Sequence, residues 1–200
     1  VLVAQMAGTL YAVDKVMKIQ VEFNPARVQA YRLIGYEKRA LKAEDFNNDR
    51  KDAGELGSGH NVTALYEVIL PGAPADLSGI DELRYQKSGL SPAAKGKELL
   101  TVKVRYKDPD GDRSKLLLRP LIEDPRPWSE ASPDFQFAAS VAGFGMLLRG
   151  SAFTGDLSYA KIAQMAQEAG GKDPDGYRGE FLRLVEKARL LSASDGSKRE

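Results

Sequence analysis

"ELLTVKVRYKDPDGDRSKLLLRP", residues 98–120, decides the fold. Leu100, Val102, Val104 and Tyr106 alternate with Thr101, Lys103 and Arg105, which is the period of a strand with one face turned inward. After "KDPDGD" the run "RSKLLLRP" returns. Asp-Gly between two strand-like runs marks a hairpin, because both residues tolerate positive φ. Asp108, Asp110 and Asp112 also have the spacing of cation ligands, but Gly111 stands at the wrong place for a calcium loop, and the turn reading is preferred.

Working outward, "KIQVEF" (18–23) alternates as cleanly, with Ile19, Val21 and Phe23 on one side and Lys18, Gln20 and Glu22 on the other. Asn24-Pro25-Ala26-Arg27 reads as a turn with φ pre-set by proline. "VQAYRLIGYE" (28–37) then returns, so a second hairpin is expected here. "NVTALYEVIL" (61–70) places Val62, Ala64, Tyr66, Val68 and Leu70 on one face, and a short strand is expected at "ELRYQ" (82–86). Five or six antiparallel strands at this spacing predict a β-sandwich-like half.

Beyond a proline-containing linker at Pro120 to Pro133 the period changes from two to 3.6. The first expected helix has Ser132 as N-cap, Pro133 in the first turn, a stripe of Phe137, Val141, Phe144 and Leu148, and a stop at Gly150; its many apolar positions predict that it is the buried one. The second, "LSYAKIAQMAQEAGG", stops at Gly170 and Gly171. The third has Asp173 as N-cap and Pro174 at its first position, with Tyr177, Phe181, Leu184, Val185, Ala188 and Leu191 inward. The fold class expected is α+β: residues 1–14 a helical link, 15–122 the sandwich-like domain, 132–191 a three-helix subdomain packed on it, and 192–200 a disordered tail.

Composition narrows the function classes. The 200 residues carry 29 basic and 28 acidic side chains, a net charge of +1, so no general field draws nucleic acid or an anionic membrane. Aromatic residues interleaved with basic ones at "YRLIGYEKR" and "VRYK" read as an amphipathic sheet face, with Arg and Lys stems covering apolar surface. Cysteine is absent, which removes disulfides, thiolate metal sites and cysteine nucleophiles. The longest apolar stretch, "FAASVAGFGMLL" (137–148), falls short of the ~20 residues that span a bilayer. No signal peptide is visible in "VLVAQMAGTLYAV" and no initiator Met is present, so a soluble fragment with its targeting information upstream is expected.

The candidate site is the loop "EDFNNDRKDAGELGSGH" (44–60). Asp45, Asn47 and Asp49 alternate as the first ligands of an EF-hand do, each offering an oxygen to one cation. That loop needs Gly at its sixth position and Glu at its twelfth, where this chain has Arg50 and Leu56. His60 is the sole histidine; no G-x-S-x-G elbow accompanies it, and an imidazole entering a strand reads as structural. Gly57 and Gly59 suit a flexible strand entrance better than a phosphate loop, which needs a strand before it and a helix after. The reading is therefore a structured approach to a strand, with no catalytic, cofactor or metal residues. The alternative is a cation-binding or hydrolytic site at Asp45 to His60, in which Asp45, Asn47 and Asp49 hold the metal.

"KIQVEFNPARVQAYRLIGYEKRAL", the 44–70 stretch, "LLTVKVRYKDPDGDRSK", "FQFAASVAGFGMLLR" and "DPDGYRGEFLRLVEKARLLS" together resemble the C-terminal domain of bacterial YfbK-type proteins, in the same order and over nearly the whole chain. In that family this domain follows a von Willebrand factor type A domain. The resemblance implies an extracytoplasmic protein, lipid-anchored through its N-terminus, whose divalent cation sits in the A domain. It transfers no functional residue here: the A-domain motif Asp-x-Ser-x-Ser is missing, since Asp76-Leu77-Ser78 and Asp195-Gly196-Ser197 lack the second serine. The expected role is a non-catalytic accessory module supporting protein or surface binding. Its partners would be the adjacent A domain and an unidentified protein, with self-association through an edge strand as a corollary.

Overall fold

The 98–120 hairpin forms. A computed structural model of the chain describes residues 12–35, 46, 54–57, 61–73, 89–108, 111 and 113–196. Val1–Asp124 and Pro125–Glu200 make two units. The first holds β1 (Ala12–Phe23), β2 (Ala30–Ile34), β3 (Gly54–Gly57), β4 (Leu65–Ile69), β5 (Glu98–Lys107) and β6 (Lys115–Ile122). The second holds α1 (Pro133–Leu148), α2 (Tyr159–Ala169) and α3 (Tyr177–Gly196). The strands make two antiparallel sheets, one ordered β3-β1-β5-β6 and one pairing β2 with β4, so the chain has an α+β fold.

β5 and β6 pair from Tyr106↔Lys115 to Glu98↔Ile122. At their turn the Gly111 amide donates to the Asp108 carbonyl at 3.0 Å, and Lys115 closes on the Asp108 carboxylate at 2.6 Å. The hairpin expected between residues 18–23 and 28–37 does not form. β1 lies between β3 and β5, and β2 pairs with β4, from Ala30↔Ile69 to Ile34↔Leu65. The Asn24–Arg27 turn exists, with the Arg27 amide on the Asn24 carbonyl at 3.0 Å, but it is a corner between sheets. The Asn24 side-chain amide donates to the carbonyls of Ala94 (3.0 Å) and Glu98 (2.8 Å), and the Asn24 backbone amide to Leu99 (2.9 Å). These bonds hold the end of β1 against the approach to β5 while the Gln29 amide already donates to Ile69. Phe23 marks the corner, stacked on Tyr31 at 4.1 Å and edge-on to Tyr66 at 5.4 Å.

Three boundaries move. Ala12 and Val13, expected at the end of a helix, are the first residues of β1; residues 1–11 lie outside the described set. β4 is confined to Leu65–Ile69, and Val62 is exposed. α3 continues to Gly196, because Ser192 to Asp195 contain no helix breaker and the Ser192 hydroxyl donates to the Arg189 carbonyl at 2.9 Å. The expected strand at 82–86 lies outside the described residues.

The helical unit has its core at Ile162, Ala166, Phe181 and Val185, with Phe137 and Phe144 against it. Ile162 and Val185 are fully buried, worth about 1.5–3 kcal/mol each. Ser132 caps α1 as expected, accepting from the Phe135 amide at 3.2 Å, and Gly150 and Gly170 follow α1 and α2 at positive φ. Half of the expected α1 stripe faces the core: Phe137 and Phe144 pack against it, Ser140, Gly143 and Met146 are the buried residues, and Val141 and Leu148 are exposed. Gly143 sets how closely α1 packs, since a Cβ there would meet Leu157 at 3.2 Å. α3 buries Phe181 and Val185 but exposes Tyr177, Leu184 and Leu191. The three-helix core is too narrow for a stripe as wide as the one the sequence suggests.

Candidate interaction surface

Of the 44–60 loop, Phe46 and β3 are described; Asp45, Asn47, Asp49, Gly59 and His60 lie outside the described residues. Phe46 is buried, and its ring lies 5.6 Å from the Arg105 guanidinium. Gly57 is paired with Ala12 as part of a strand. Asp108 serves its turn and Lys115, while Asp110 and Asp112 are outside the described set. Among the described residues no group of three or more His, Cys, Asp or Glu side chains is placed to hold a metal ion.

The register assigns every described side chain of the larger sheet to a face, because residues opposite each other in an antiparallel pair point the same way. One face carries the rows Ile19–Val104–Leu117, Val21–Val102–Arg119 and Phe23–Leu100–Leu121. The other carries Lys18–Arg105–Leu116, Gln20–Lys103–Leu118 and Glu22–Thr101–Pro120. Burial follows the expected alternation at Glu22 and Phe23 and inverts it at Lys18 and Ile19. Lys18, on the polar face, is 1% exposed, whereas Ile19 and Leu117, on the apolar face, are 56% and 55% exposed. On this face Phe23 is buried against Tyr31 and Tyr66, Val21, Leu100, Val102 and Val104 are half-buried, and Leu121 is exposed. Burial, and secondarily the neighbouring Tyr31, raises the pKa of the Tyr66 phenol.

Among the described strands β6 ends the sheet, pairing with β5 alone. Leu116 and Leu118 on one face and Leu117 and Leu121 on the other are all exposed, as is Ile122. Two devices interrupt this edge. Pro120 lacks the amide hydrogen a further strand would need, and Arg119 sets a charge within the apolar face, with no ion-pair partner among the described residues. The sequence carries a signal for this surface besides alternation. "LLL" at 116–118 is apolar on both faces, which is the pattern of a strand covered on both sides.

On the polar face, a groove of about 230 Å³ opens between the Asn24 corner and β5. Glu22 and Lys103 form an ion pair at 2.5 Å across it, and Ser91, Thr101 and Leu118 contribute to its walls. Glu22 and Lys103 satisfy each other, and Glu98 adds a further carboxylate to the lining.

The family described as "Uncharacterized protein YfbK, C-terminal" matches residues 8–191. The chain is 46% identical over 192 residues to "Uncharacterized protein YfbK" of Escherichia coli (strain K12), covering 94% of this chain and 32% of the relative. It therefore spans about a third of the length of the curated relative it matches. No solved structure matches. The chain belongs to the YfbK C-terminal family.

Proposed function

We propose that this chain is a non-catalytic accessory module flanking a von Willebrand factor type A domain in an extracytoplasmic, lipid-anchored bacterial protein, and that it works by protein contact. The observation that carries the reading is the open apolar face of the β3-β1-β5-β6 sheet, with Ile19 and Leu117 more than half exposed. A monomer exposes contiguous apolar patches of about 300–600 Å² at most, and such patches mark contact sites. Supporting this, the lysine of the described groove, Lys103, is paired with Glu22. Any divalent cation belongs, on this reading, to the A domain, and nucleic acid and membrane insertion are not part of the role. No described helix is long and apolar enough to cross a membrane.

The test has two arms. Titration with calcium, magnesium or zinc is expected to give no heat and no rise in Tm. Stabilisation of about 2.7 kcal/mol, as follows at a hundredfold excess over Kd, would place a cation site in this chain and overturn the reading. In the second arm, an apolar fluorescent dye binds the wild-type chain, and Ile19→Lys with Leu117→Lys cuts the signal at least by half without lowering Tm. Unchanged dye binding would show that this face is not the exposed apolar surface.

A further inference from the structure

We infer that the apolar face and the β6 edge are covered in cis, by an extended segment of a longer polypeptide of which these 200 residues are one part. This rests on the accessory-module reading and names the partner of that surface. The first ground is length. The matched region is 32% of the relative's sequence, so most of that polypeptide lies outside it and is joined to this surface by covalent linkage. A tethered segment meets the sheet at an effective concentration in the millimolar range, far above what a separate copy reaches at ordinary abundance.

The second ground is the chemistry of β6. It is exposed on both faces, through Leu116 and Leu118 on one and Leu117 and Leu121 on the other, so its complement must reach past the edge and close both sides. A second copy is constrained in the two central registers. Antiparallel pairing of two β6 strands about Leu117 would set Lys115 opposite Arg119 of the copy, a like-charge contact. Pairing about Leu118 would set Pro120 opposite Leu116 of the copy, where the proline offers no amide hydrogen. A segment of different sequence escapes the like-charge contact, and any strand added here forgoes the one bond that Pro120 cannot donate. The complement that fits is an alternating apolar strand with an acidic residue placed against Arg119, whose charge meets no carboxylate among the described residues.

Amide hydrogen exchange compares the full-length polypeptide with the 200-residue chain. The β6 amides that β5 does not bind are expected to exchange on the order of a hundredfold more slowly in the full-length protein. That protection should be independent of protein concentration, with a monomer in sedimentation. Arg119→Glu, at an exposed position, should lower the protection about tenfold while leaving the exchange of β1 unchanged, consistent with loss of one charge-assisted contact. Equal β6 exchange in the two proteins would overturn the inference. So would protection that appears only with dimerisation; that result would leave the module reading standing with a second copy as partner. Failure of the module reading is read separately, in the cation titration.

Discussion

Asp173 shows how much one side chain organises in the helical unit. Its Oδ1 accepts from the Arg178 amide and its Oδ2 from the Gly179 amide, both at 3.0 Å, so the carboxylate sits on the exposed donors at the start of α3. Those amides, Arg178 first and Gly179 next, lower the Asp173 pKa. Arg178 in turn donates to the Gly170 carbonyl at 2.6 Å, pairs with Asp134, and lies 4.4 Å over the Phe137 ring. A carboxylate with a depressed folded-state pKa contributes stability that is present above its unfolded pKa and lost as pH falls through the folded one. The chain is therefore expected to lose stability below about pH 4. Asp173→Asn, which cannot gain or lose that proton, should show a shallower loss. Urea midpoints measured from about pH 2 to 6 decide it, and identical acid slopes would remove Asp173 from the account. The capping role of Asp173 was legible in Asp-Pro-Asp-Gly. Its placement was not: Pro174 stays in the preceding turn and the helix starts at Tyr177, after Gly176 at φ 75°. Arg178 was not legible at all, because its partners at 134, 137 and 170 come together only through packing.

Among elements, the instructive case is the pair β1 and β2. Alternation identified both as extended, and Asn-Pro identified the turn, yet the two strands go to different sheets. Local pattern states that a chain reverses; it does not state which strand receives it, and that is set by contacts 70 and more residues away. Asn24 makes those contacts. Its Oδ1 also accepts from the Ala26 amide at 3.0 Å, so one side chain shapes the turn and anchors it to the segment before β5. Asn24→Ala leaves two carbonyls without their donor and is expected to cost about 1–3 kcal/mol in urea unfolding. Asn24→Asp should be no better, since it keeps the Oδ1 contact but removes the donor. A loss within about 0.5 kcal/mol for both would mean that water replaces the amide and that the corner is held elsewhere. The β5–β6 hairpin was legible because a turn signal, a matched register and close sequence neighbours all agreed. Which face of the β3-β1-β5-β6 sheet is covered was not legible. Polar Lys18 is buried and apolar Ile19 exposed because coverage of a face depends on what lies over it, and alternation alone carries no information about that.

At the scale of the whole molecule, the division between Asp124 and Pro125 falls in the proline-containing stretch where the hydrophobic period changes from two to 3.6. The helical unit draws its core from its own three helices: Ile162 and Ala166 from α2, Phe181 and Val185 from α3, and Phe137, Phe144 and Leu147 from α1. Phe181 meets Phe137 and Phe144 edge-on, at 5.3 and 5.5 Å, so its ring ties α3 to α1. A core drawn from the three helices of one unit can exclude water by itself, although a unit of this size has a thin margin of stability. Residues 125–200 alone should therefore fold, with helical circular dichroism and a cooperative thermal transition. Ile162→Ala removes a fully buried side chain and should cost roughly 2–5 kcal/mol in the isolated unit, enough to unfold much of it. The same substitution in the 200-residue chain should melt the helical transition while leaving the β5–β6 amides protected. A non-cooperative melt of residues 125–200, or loss of β5–β6 protection in the Ile162→Ala chain, would show that the two halves depend on each other for stability. The division of the chain would then describe contacts without describing folding.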